Sequence, residues 1–113
     1  MTYENIKIGD LLYNKDDEGV QYLLIVWKDD KEGRVGGRVG CKKGDQTISG
    51  YKIDLGNDII VDINSYNNFL LRDPEEDYFG HASYLEAKAW VDDCEVIAHL
   101  SDEEINLFWI LSG

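Results

Sequence analysis

Residues 20–28 read VQYLLIVWK, and no other stretch of the chain constrains its fold as tightly. Successive side chains of an extended strand point to opposite faces, so a half-exposed strand alternates apolar with polar. Here Tyr22, Leu23, Leu24, Ile25 and Val26 are apolar on both faces. Such a strand needs cover on each side and therefore a central place in a sheet. Polar turn sequences bound it, KDDEG at 15–19 and DDKEG at 29–33.

The rest of the first 72 residues reads as further short strands. One enters at 6–13, with Gly9-Asp10 as a bend. Residues 33–42 alternate cleanly: Val35, Gly37, Val39 and Cys41 share one face, and Arg34, Gly36, Arg38, Gly40 and Lys42 share the other. That pattern predicts a row of bases toward solvent, and the four glycines predict a bent or bulged strand. A hairpin is expected from 47–55 across Gly56-Asn57 into 58–63, with Ile59, Val61 and Ile63 inward and Asp58 and Asp62 outward. The apolar piece 69–71 closes the sheet before the acidic loop 73–77.

Two helices follow in the reading. Ser83 with Glu86, and Ser101 with Glu104, are each a capping box, and Leu100 and Ile105 are spaced to form a hydrophobic staple across the second. Residues 94–100 fit a strand or an extended connection. The last helix carries Leu107, Phe108, Trp109, Ile110 and Leu111 in succession, apolar nearly all round. Two readings stay open for it: burial between the sheet and the first helix, or a homodimer contact. The expected fold is α+β, a small antiparallel SH3-like or barrel-like sheet of about five to six strands followed by two short C-terminal helices. It forms a single domain over 1–113, with 1–72 mainly β and 73–113 acidic and mainly helical.

Composition limits what such a domain can be. At 113 residues, 43% of them hydrophobic, there is material for one core. No window approaches the roughly 18 uninterrupted apolar residues of a membrane span, and the opening MTYENIKIGD lacks signal-peptide features. A cytoplasmic protein with buried thiols at Cys41 and Cys94, rather than a disulfide, is the expectation. The net charge of −12 is segregated: 12 acids face 10 bases up to Arg72, whereas the remainder holds 11 acids and only Lys88. Residues 31–52 run the other way, six bases against two acids. Segregation of this kind points to a field aimed at a partner.

Little in the chain is equipped for catalysis. Cys94, Glu95 and His99, with His81 further back, match no zinc or nucleophile spacing, so no catalytic residue, metal or cofactor is expected. The repeat GRVGGRVG at 33–40 lacks the order of a phosphate-binding loop. Acids at Asp102, Glu103 and Glu104 sit where a helix N-terminus favours them. Those at Asp73, Glu75, Glu76 and Asp77, and at Asp92, Asp93 and Glu95, have no such local reason. They form the candidate partner-binding face, with the basic strand Arg34, Arg38 and Lys42 as the alternative.

In size and charge the chain resembles the small acidic anti-defence proteins of phages, anti-restriction and anti-CRISPR inhibitors among them. That resemblance implies a non-enzymatic protein that docks its acidic face, in the extreme case as a DNA mimic, on a basic nucleic-acid-binding surface of another protein in the host cytoplasm. Whole-molecule charge argues against direct nucleic-acid contact. The opening Ile6-Lys7-Ile8-Gly9-Asp10 is similar to the first strand of SH3-like barrels in RNA-binding modules and toxin endoribonucleases, which implies RNA contact through the basic strand. A third reading is a small-ligand or nucleotide binder whose pocket uses Tyr22, Trp27, Tyr51 or Trp90.

Overall fold

A computed structural model of the chain describes residues 2–16, 19–44, 52–72 and 81–112. The doubly apolar run lies in strand β2 (Gly19–Asp29), flanked by β1 (Asp10–Asp16) and β3 (Arg34–Lys42). Short strands β4 (Lys52–Asp54), β5 (Ile59–Asp62) and β6 (Asn67–Leu70) extend one side, and β7 (Glu95–His99) pairs with β1 on the other. The order is β4-β5-β3-β2-β1-β7, every pairing antiparallel, with β6 paired to the first half of β3 and β5 to the last three residues. The result is a curled half-barrel sheet. Helices α1 (His81–Asp92) and α2 (Asp102–Ser112) are joined through β7, and neither is long and apolar enough to cross a membrane.

Both faces of β2 are covered, by different elements. Leu23 and Ile25 meet Leu12, Val35, Ile6 and the α1 residues Ala87 and Val91. Tyr22, Leu24 and Val26 meet Leu11, Val61 and the α2 residues Ile105 and Phe108. Burying one such side chain stabilises by about 1.5–3 kcal/mol, so five consecutive ones contribute on the order of 10 kcal/mol, comparable to the whole stability of a small domain. The last helix is thus not sandwiched between the sheet and the first helix. It covers the opposite face, because alternation along β2 aims half of its apolar residues that way.

A register shift between Ile25 and Trp27 inserts Val26 as an extra residue opposite Gly36 and Gly37. The bulge therefore lies in β2, across from the glycines rather than among them. It allows close approach: a Cβ on Gly37 would stand 2.7 Å from Leu23 Cδ1. Alternation in β3 follows the expected parity, yet the arginine face is the one α2 covers, so Arg38 is half-buried and the bases make no row toward solvent. Other differences are local. Strand β1 starts at Asp10, after the bend, because Gly9 (φ +103°) turns the backbone so that its N–H donates to Ile25 O and its carbonyl accepts from Leu100 N, both at 2.8 Å. Asp62 is buried rather than outward, its Oδ1 accepting from Asn64 N at 2.9 Å. Helix α1 spans His81–Asp92, so Ser83 is its third residue rather than the residue before it.

The second capping box forms as the spacing requires. Ser101 Oγ accepts from Glu104 N (3.3 Å) and Glu104 Oε1 accepts from Ser101 N (3.1 Å), while Leu100 and Ile105 are both buried beside Phe108. Ser101→Ala is expected to lower stability by about 1 kcal/mol, and Ser101→Asp to retain most of it. The measurement is the urea midpoint at unchanged m-value.

Candidate functional site

The acids at 92–95 gather where α1 runs into β7. Asn14, buried on β1, donates through Nδ2 to Trp90 O at 2.8 Å and to Cys94 Sγ at 3.7 Å. The Cys94 thiol donates to Trp90 O at 3.2 Å, and Cys94 N donates to Val91 O. These bonds tie the helix end to the central sheet and leave Asp92, Asp93 and Glu95 outward around a buried Cys94. Asp92 accepts from Lys88 Nζ at 2.9 Å, a bond that holds the lysine pKa above its ordinary value; both partners are exposed, and the pair is held weakly. Among the described residues, Asp93 and Glu95 form no ion pair.

Next to these carboxylates the edge strand exposes two aliphatic side chains, Val96 at 39% and Ile97 at 42%. Sequence reading passed over them because a Val-Ile pair in a short strand usually has one member inward. Strand β7 skips a residue in its pairing, from Leu12↔Val96 to Leu11↔Ala98, which leaves Ile97 unpaired as a bulge. At the far end of the strand, His99 Nδ1 meets Oδ1 of the buried Asp10 at 2.7 Å, and Asp10 Oδ2 accepts from Lys7 N. Glu95 leads the strand and His99 ends it, so the sequence cluster of Cys94, Glu95 and His99 is spread along β7, with the thiol turned inward.

Asp73, Glu75, Glu76 and Asp77 lie outside the described residues, as does Tyr51. Asp102 and Glu103 are exposed on the first turn of α2. On the alternative surface, Arg34 pairs with Glu32 (3.7 Å) and Lys43 with Asp54 (3.2 Å), while Lys42 is exposed. Asp54 is held below its ordinary carboxylate value, first by the Gly56 N–H and then by Lys43. Two of the three bases of the expected strand are thus neutralised locally (Arg34) or turned inward (Arg38).

Among the described residues the candidate pocket aromatics do not come together. Trp90 lines a cavity of about 480 Å³ with Gln21, Leu23, Cys41, Asn67 and Phe69, while the Tyr22 ring lies on the opposite face of the sheet against Tyr13. In the cavity Trp90 Nε1 donates to Gln21 Oε1 at 2.7 Å, and its ring lies nearly parallel to Phe69 with centroids 6.3 Å apart. Trp27 faces the other side of the sheet, onto α2. Among the described residues no group of His, Cys, Asp and Glu is placed to hold a metal ion. No protein-family model matches the chain, and no curated protein matches it.

Two buried acids of high pKa give the domain a distinct alkaline response. Burial pushes the Cys94 thiol from 9.0 up to about 11, with the Asn14 bond partly offsetting it. Burial, reinforced by its bond to Asp30 (2.8 Å), pushes Tyr3 from 10.0 up to about 12. The folded state therefore holds both protons more tightly than the unfolded chain, so their stabilisation is complete below pH 9 and is lost as pH rises toward 12. Urea midpoints are expected to be level with respect to these groups up to about pH 9 and to fall above it. Cys94→Ala should remove the first part of that fall, and a midpoint level to pH 11 would contradict the assignment.

Proposed function

We propose that this chain is a non-enzymatic protein-binding module that docks the acidic surface at the α1–β7 junction on a basic groove of a partner protein. The observation that carries this reading is the combination of Asp92, Asp93 and Glu95 with the exposed aliphatic pair Val96 and Ile97 on one edge of the sheet. Solvated acids kept only for solubility need no adjoining apolar surface; a protein interface has both, apolar contacts for affinity and charges for steering and register. The hydrogen bonds of Asn14 and Cys94 hold the patch on the sheet, which limits the ordering entropy that binding must overcome. The excess of acid after Arg72 in the sequence, 11 against one lysine, favours the same reading. In its strongest form the surface imitates the phosphates of nucleic acid, as in an inhibitor of a nucleic-acid-binding enzyme. On α2, Leu107, Ile110 (76% exposed) and Leu111 leave room for self-association, which sedimentation would register as a monomer–dimer equilibrium.

A ligand-binding reading is favoured by one observation, the cavity of about 480 Å³ beside Phe69 and Trp90, whose size is that of a small-molecule site. Thermal shifts across a nucleotide panel separate it from the first reading.

The docking reading is tested by capturing partners from the native host at low salt, eluting with salt, and repeating with the Asp92→Lys/Asp93→Lys/Glu95→Lys variant and with Val96→Ser. Charge reversal is expected to weaken binding of the identified partner by at least about tenfold, or ~1.4 kcal/mol, and raised salt to weaken it in parallel. Binding indifferent to both would overturn the proposal.

A further inference from the structure

The face of the sheet under α2 holds a second, independent feature. The bulge at Val26 turns Trp27 onto the same side as Val26, where it pairs across to Gly36. A Cβ on Gly36 would lie 3.1 Å from Trp27 Cε3, so the glycine leaves the indole its place. Arg38, two residues along β3, shares this face. Tyr66 enters from the β5–β6 connection and Trp109 from α2, and together they enclose a cleft of about 230 Å³. Its rings stay open to solvent: Trp27 is 37% exposed, Trp109 42% and Tyr66 67%.

Among the described residues Arg38 has no counterion at this cleft. Its guanidinium carbon lies 5.3 Å from the Tyr66 ring centroid and 5.8 Å from that of Phe108. Among the described residues Nε is buried with no hydrogen-bond partner, and Nη1 reaches Gly37 O at 3.4 Å. Among the described residues no carboxylate lies within 4.0 Å of it, in a chain with 23 acids to 11 bases. Contact with aromatic rings offsets only part of the cost of half-burying a cation. An anion arriving from outside would supply what the fold leaves out, and a guanidinium bonds a carboxylate or phosphate through its planar edge.

We propose that this cleft binds a small planar aromatic ligand bearing one anionic group, the ring against Trp27, Tyr66 and Trp109 and the anion on Arg38. A single cation inside a molecule of net charge −12 selects a compact anion and disfavours a polyanion such as a nucleic-acid strand. A carboxylate and a phosphate monoester share this chemistry, so indole-3-acetate and adenosine monophosphate are the two probes. Cyclohexanecarboxylate, with charge and no aromatic ring, and adenosine, with a ring and no charge, are the controls. The indole N–H resonances of Trp27 and Trp109 in the protein's NMR spectrum are expected to shift saturably with at least one probe, which identifies the source, and each control to bind at least about tenfold more weakly. Arg38→Met keeps the aliphatic stem and removes the charge. It is expected to reduce affinity at least about tenfold without lowering the unfolding midpoint of the free protein, since no ion pair is lost. Tyr66→Ser, at an exposed ring, tests the same site without touching the core and is expected to weaken binding severalfold. Absence of saturation by either probe up to about 10 mM, or equal binding of the controls or of the two variants, would overturn the proposal.

Discussion

Burial of both faces of β2 is the constraint on which the other elements depend. A strand with five successive apolar residues cannot rest in a sheet that leaves either face to water. The chain meets this by sending α1 to one side and α2 to the other, with β7 between them as the edge strand beside β1. Phe108 and Ile105 complete one core, Ala87 and Val91 the other. The hydrogen bonds of Gly9 to Ile25 and Leu100 then fix where the edge strand hands over to α2. Glycine is required there because the backbone is left-handed and a Cβ would meet Leu100 O at 2.5 Å.

Two-sided cover also explains why the molecule has two surfaces of different chemistry. The α1 side and the β7 edge carry carboxylates at a helix C-terminus, where the backbone dipole gives them no support. The α2 side, by contrast, holds Arg38 with no described carboxylate within ion-pair distance. Local stability would favour the reverse of both placements, and that departure from local preference is the ground on which the two binding surfaces are proposed.

Much of the architecture was legible in the chain itself. The central strand, the turn at 29–33, the hairpin through Gly56, the box of Ser101 with Glu104 and the α+β class follow from period, turn chemistry and cap spacing, all local in sequence. Of the candidate surface, the exposure of Asp92, Asp93 and Glu95 was legible from their charge alone, because carboxylates are seldom buried. Val96 and Ile97 were not, since their exposure follows from a bulge in the pairing with β1.

What the sequence determined by itself was therefore the list of strands and helices, the two-faced strand at their centre and the segregation of charge. Tertiary structure alone decided which helix covers which face. A strand's alternation says that each side must be buried and is silent on what buries it. The fate of Arg38 shows the difference most sharply. Its parity in β3 is plain in the sequence, yet whether that face meets water or α2 depends on contacts with Phe108 and Tyr66, 70 and 28 residues away in the chain. One inserted residue at Val26 then brings Trp27 to the same place, a shift that strand pairing sets and that no residue pattern announces.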